Sequence, residues 1–149
     1  MILSWHDMSA TRILTDVDYA RLLVFRDGLR SFLHWSEAQA RAIDLTAGQH
    51  QLLLAVRGHA GSPSITDLAN HLLLRHHSAV ELVDRAANNG LIVRFDDPDD
   101  QRVTRVRLTP TGASKIERLS AAHLEELSRA RSSFSALWDD LPDESRRAP

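Results

Sequence analysis

Apolar positions recur at helical spacing along most of this chain and change to strict alternation in one short stretch. Leu22, Phe25, Leu29, Phe32 and Leu33 step by three and four, which predicts a long helix from Asp16 to about Ile43. Thr15 or Asp16 suits its start. Gly28 is its one interruption, at a cost of about 1 kcal/mol against Ala. A second stripe follows in Leu52, Leu53, Ala55 and Val56. Thr46 with Gln49 three residues later has the form of a capping box, and Gly58, Gly61, Ser62 and Pro63 end the helix in a loop. Ile65, Leu68, Ala69 and Leu72 define a short third helix, and a turn covers Leu73 to Arg75. A fourth helix is expected from His76 to Asn88, with Ala79, Leu82, Val83 and Ala86 inward and Gly90 as a left-handed terminator.

Beyond Gly90 the period changes. Leu91–Phe95 reads as a strand, and Arg102–Leu108 alternates apolar and polar. Asp96–Gln101, with Pro98 and four aspartates, joins them as a turn. The outward face of this hairpin carries Arg102, Thr104 and either Arg105 or Arg107, depending on register. Thr109 and Pro110 open a further helix to about Arg131, with Ile116, Leu119, His123, Leu124 and Leu127 inward. A last helical piece spans Ser132 to Leu141, with Phe134, Leu137 and Trp138 on one face, and Pro142–Pro149 is a polar tail.

Helix, helix, short helix, tight turn, helix, hairpin, long helix is the order of a winged helix-turn-helix. The expected fold class is therefore mainly α (α+β). Residues 46–109 form the winged motif, and residues 11–43 and 110–141 supply flanking helices. The stripe at Leu14, Val17 and Leu22, and the one from Phe134 to Trp138, have no evident use within one chain.

Composition narrows the chemistry. The 149 residues are enough for one domain and include no cysteine. That excludes disulfides, thiolate metal sites and a thiol-based peroxide sensor. No apolar run is long enough to span a membrane. Met1–Ala10 lacks the basic start and apolar core of a signal peptide, so a cytoplasmic location is expected. Net charge is −2, but 17 of the 18 basic residues are Arg, whose planar fork suits phosphates and base edges. Codon bias would produce the same excess. Nothing resembles a nucleophile elbow, a phosphate-binding glycine loop or a metalloprotease helix, so no enzyme activity is expected.

Ile65–Ala69 with Leu72, Ser78, Leu82–Arg85 and Asn89–Ile92 resembles the DNA-binding core of MarR-type regulators. Asp97–Arg102, Val106–Thr109 and Gly112 resemble their wing, and Leu45–Gln49 resembles the opening of the helix before the motif. The pieces stand in order and at matching spacing from Thr46 to Leu119. The resemblance implies a homodimer whose terminal helices interlock and whose two winged motifs face a pseudo-palindromic operator in double-stranded DNA. It implies a transcription regulator, most simply a repressor, released by a small aromatic or phenolic effector. Two departures bear on the target. Gln101 stands where the family's wing has the first of two arginines, and the turn reads Leu73-Leu74-Arg75-His76-His77 rather than Gly and Ser.

The expected contacts follow. By resemblance, Arg102 is the wing arginine that enters a minor groove, where narrow A·T tracts concentrate negative potential. Asp100, two residues earlier, braces it, and Arg105 is a further wing cation. On the fourth helix His76, His77, Ser78, Val80 and Glu81 lie at or near an exposed N-terminal turn, with Arg75 before them and Arg85 beyond. Val80 suits a thymine methyl; Glu81 either accepts from cytosine N4 or rejects wrong sequences. Asp84 is expected to hold a wing arginine. Segment Arg75–Arg107 carries six arginines and six acids, so affinity rests on placement rather than on a basic patch. Arg26, His34, Trp35 and His50 would line an effector pocket, with helix-junction packing as the alternative for Trp35. His77 and Glu81 stand one turn apart, but no set of three or four ligands assembles, so no metal or other cofactor is expected. Two other readings stay open: a winged-helix protein–protein module, and a small-molecule-binding protein with no DNA role.

Overall fold

Four of the helices, those starting at Asp16, Ala47, Ile65 and Pro110, begin where the sequence provides a side chain to satisfy their first amides. The computed structural model describes residues 13–139. Its elements are α1 (Asp16–Ala42), α2 (Ala47–Gly58), α3 (Ile65–Leu72), α4 (His76–Asn88), β1 (Ile92–Asp96), β2 (Thr104–Leu108), α5 (Pro110–Arg129) and α6 (Arg131–Asp139). Thr15 and Asp18 exchange side-chain and backbone bonds at the start of α1. Thr46 with Gln49, and Ser64 with Asp67, form complete capping boxes on α2 and α3. On α5, Thr109 Oγ1 accepts from the Gly112 amide at 3.1 Å. This is the winged helix-turn-helix architecture expected from the order of elements.

The chain divides into two compact units, Leu33–Arg129 and a second made of residues 1–32 and 130–149. In the larger unit, α2, α3, α4, α5 and the hairpin enclose one core. Leu52, Leu53, Leu68, Val83, Val106 and Ile116 are fully buried there. Truncating any of the leucines to Ala would cost roughly 2–5 kcal/mol. The β1–β2 hairpin is antiparallel with Ile92 opposite Leu108 and Arg94 opposite Val106. The segment before α3 joins its edge: Val106 N donates to Pro63 O at 2.9 Å, and Ser64 bridges Arg105. Gly112 sits so close to the Leu91 carbonyl that a Cβ there would overlap it. Glycine is thus needed where α5 crosses the start of the hairpin.

The smaller unit is held by aromatic edges. Phe25 meets Trp138 at 5.3 Å between ring centroids, and Phe32 meets Phe134 at 6.1 Å, both T-shaped.

Four expectations change. β2 starts at Thr104, not Arg102, because the wing aspartates draw Gln101 and Arg102 into the turn. On α5, Leu124 and Leu127 are exposed, and the buried stripe stops at Leu119. Leu29 and Leu33 on α1 are exposed as well, whereas the exposure of Leu14, Val17 and Leu22 agrees with a stripe that has no evident use within one chain. An unexpected strain appears at Leu73, which takes left-handed backbone angles (φ 53°, ψ 41°) with its side chain almost wholly exposed. Residues 11 and 12, the end of α6 at Leu141 and the tail at 142–149 lie outside the described residues, as does the side chain of Leu137.

Candidate nucleic-acid interface

α4 buries one stripe and frees the other. Ala79, Val83 and Ala86 face the core, while His77, Glu81, Arg85 and Asn88 are exposed. His76 is exposed, and Ser78 and Val80 are half-buried. The N-cap residue is Arg75, whose side chain makes no capping bond. By contrast, Thr46, Ser64 and Thr109 cap α2, α3 and α5. The first amides of α4 are left for water or for an anion.

Between α4 and the wing runs a groove of about 600 Å³ lined by His76, Val80, Asp84, Arg94 and Arg102 among others. One wall is fixed by an ion pair from Arg94 on β1 to Asp84 on α4. The expectation that Asp84 holds a wing arginine thus has a partner, Arg94, which the sequence did not single out. Register supplies the reason: Arg94 lies opposite Val106, on the sheet face turned to the core and α4.

The wing turn is organised by its acids. Asp97 Oδ1 accepts from the amides of Asp99 and Asp100 at 2.8 and 2.9 Å, and its other oxygen takes the Arg105 guanidinium. Arg105 also donates to the Ser62 carbonyl at 3.0 Å. The Arg105 bond, then those two amides, hold the Asp97 carboxyl below the ordinary aspartate range. Asp100 grips Arg102 with both oxygens, at 3.0 and 3.2 Å, and the Arg102 bond lowers its carboxyl likewise. The two expected wing cations therefore separate. Arg102 keeps 90% of its side chain exposed and is aimed by Asp100. Arg105 is committed inside the protein, tying wing to loop, because Pro63–Ser64 covers its side of the strand. Arg107, on the same face, lies 5.3 Å over the Phe95 ring.

The residues expected to form an effector pocket are only partly brought together. Trp35 on α1 and His50 on α2 both meet His123 of α5, each at 4.8 Å between ring centroids. His123 Nδ1 donates to the Leu119 carbonyl at 2.7 Å, so in the neutral ring Nε2 accepts from Ser36 Oγ, also at 2.7 Å. Burial, then the charge of His123, push the His50 pKa down. His123 and Ser36 were not expected in this cluster; their pairing spans 87 residues. His34 is exposed on α1, and Arg26 lies in the smaller unit. Among the described residues no group of three His, Cys, Asp or Glu side chains could hold a metal ion, and no helix is long and apolar enough to cross a membrane.

Comparison with known proteins agrees with this geometry. Residues 43–103 match the model of the MarR family. The HTH-type transcriptional repressor IacR of Pseudomonas putida is 29% identical over 94 residues, 63% of this chain and 56% of IacR. The chain thus spans little more than half of that relative. The crystal structure of AbsC, a MarR family transcriptional regulator from Streptomyces coelicolor, superposes with a TM-score of 0.70 at 20% identity, covering 91% of this chain and 88% of AbsC. A MarR mutant from E. coli, solved with operator DNA, superposes at 0.64 and 20% identity, covering 88% of this chain and all of the other. The two structural likenesses establish the fold. The sequence match to the MarR family model lies on residues 43–103, the stretch that holds most of the winged motif.

Proposed function

We propose that this chain is a homodimeric, sequence-specific DNA-binding transcription regulator, acting as a repressor that a small aromatic or phenolic effector releases. The observation that carries the reading is the pairing of an uncapped, outward α4 with Arg102, an exposed arginine aimed by Asp100. A slim helix with a free flank fits a major groove about 12 Å wide, and an arginine-tipped finger beside it reaches the next minor groove. Residues 46–109 would be the DNA-binding region and the flanking helices the dimerisation region. The exposed apolar side chains of α1, with Trp138 on α6, support such pairing. Operator DNA in the MarR mutant structure and the repressor named IacR point the same way. For effector release, support comes from the Trp35–His50–His123 cluster and from a structural relative, BpsR of Bordetella bronchiseptica, whose DNA binding is regulated by 6-hydroxynicotinic acid.

The test is a salt titration of binding to duplex DNA by fluorescence anisotropy. Affinity should fall linearly with the logarithm of salt concentration. Arg102→Ala should lower affinity by about 1–3 kcal/mol while leaving the melting temperature unchanged. A flat salt response would favour a protein–protein module instead.

A further inference from the structure

Four of the acids near the α4 surface are already occupied, while Asp96 and Asp99 in the hairpin make no ion pair among the described residues. Asp84 holds Arg94, Asp97 holds Arg105, Asp100 holds Arg102, and Asp67 closes the α3 cap beside His59. Glu81 is the exception on α4. It makes no ion pair among the described residues, although Arg85 stands one turn further on, where a Glu–Arg pair commonly forms on a helix. At about 100° per residue it lies roughly 200° around the axis from Ala79, in the middle of the face opposite the core. His77 and Asn88 share that face, and none of the three is buried.

An unpaired carboxylate there is unfavourable in a surface that docks on phosphates, unless it meets a donor. In the major groove only cytosine N4 and adenine N6 offer donors, and adenine sets the N7 acceptor beside its amino group. A carboxylate cannot donate to that N7, so it is matched to cytosine. We infer that Glu81 is a specificity-determining residue that selects a cytosine in the major groove of each half-site. This rests on the DNA-binding reading. The partner guanine then presents O6 and N7 on the same pair, acceptors that Arg85 on the neighbouring flank of α4 is chemically able to contact. Glu81 gives little affinity; it penalises duplexes without the donor, which offsets the modest charge of the motif.

The experiment is selection of binding sites from random duplexes by wild type, Glu81→Ala and Glu81→Gln. Wild type should enrich cytosine at one fixed position per half-site. Glu81→Ala should lose that preference alone, by roughly tenfold or more, while preferences elsewhere persist. Its affinity for random-sequence duplex should rise as a negative charge leaves the interface. Glu81→Gln should move the same position toward adenine, since glutamine both donates and accepts. Identical site preferences for wild type and Glu81→Ala, with both binding DNA, overturn the role of Glu81. Failure of wild type to select any duplex overturns the DNA-binding reading and this inference with it. Unchanged melting temperatures keep a folding defect from imitating the effect.

Discussion

Arg102 and Arg105 are three residues apart and carry the same charge, yet their surroundings give them opposite tasks. Arg102 extends into solvent from a two-point grip on Asp100. Arg105 has both its partners, Asp97 and the Ser62 carbonyl, within the protein. Arg105→Ala should therefore lower the melting temperature and open the wing to proteolysis, an outcome that Arg102→Ala should not share. Losing Arg105 also frees Asp97 to return toward an ordinary aspartate pKa. At the other end of the pH scale, His50 gives a stability signature. Its folded pKa is depressed below 6.5, so the unfolded chain takes a proton that the folded chain refuses. Stability is whole above that pH and declines as pH falls from there toward the folded pKa. Denaturant titrations at pH 7.5 and 5.5 should show that loss in wild type and a smaller one in His50→Gln.

Among the elements, α4 is distinctive for what it lacks. Its N-cap Arg75 has the extended backbone that a capping serine would adopt (φ −66°, ψ 152°) but no side-chain bond to the helix. Arg75→Ser should raise stability by about 1 kcal/mol, as capping substitutions do. It should weaken DNA binding at the same time, because a phosphate would lose both a cation and an open amide. Thermal melts and anisotropy on one preparation would show both signs. Elements of this kind were legible in the sequence because they depend on local signals. The boxes at Thr46–Gln49 and Ser64–Asp67, the terminator at Gly90 and the change of period after it all read directly. Long-range geometry was not legible. The Arg94–Asp84 pair depends on hairpin register, and the His123–Ser36 bond on how α1 and α5 pack. The start of β2 was misread because alternation at Arg102 and Val103 does not show that Asp97 and Asp100 hold the turn open. The left-handed turn at Leu73 gave no warning either, since glycine or asparagine is its usual sign.

At the scale of the whole molecule, the start of the described chain and α6 expose large apolar side chains. Leu14, Val17, Leu22, Leu23, Val24 and Trp138 are all at least 48% exposed. Singly exposed apolar residues are ordinary, but a run of them along the α1 helix is characteristic of an interface. On the proposed reading, a second copy using the same surface would form a closed, isologous dimer that carries two α4 helices. Each helix would then meet one half of a symmetric site. The most direct test is to determine the symmetry and spacing of the sites that wild type selects from random duplexes. Two inverted half-sites about one helical turn apart, 10–10.5 base pairs centre to centre, are predicted. A single asymmetric site occupied by one chain, or no selected duplex at all, would contradict the account.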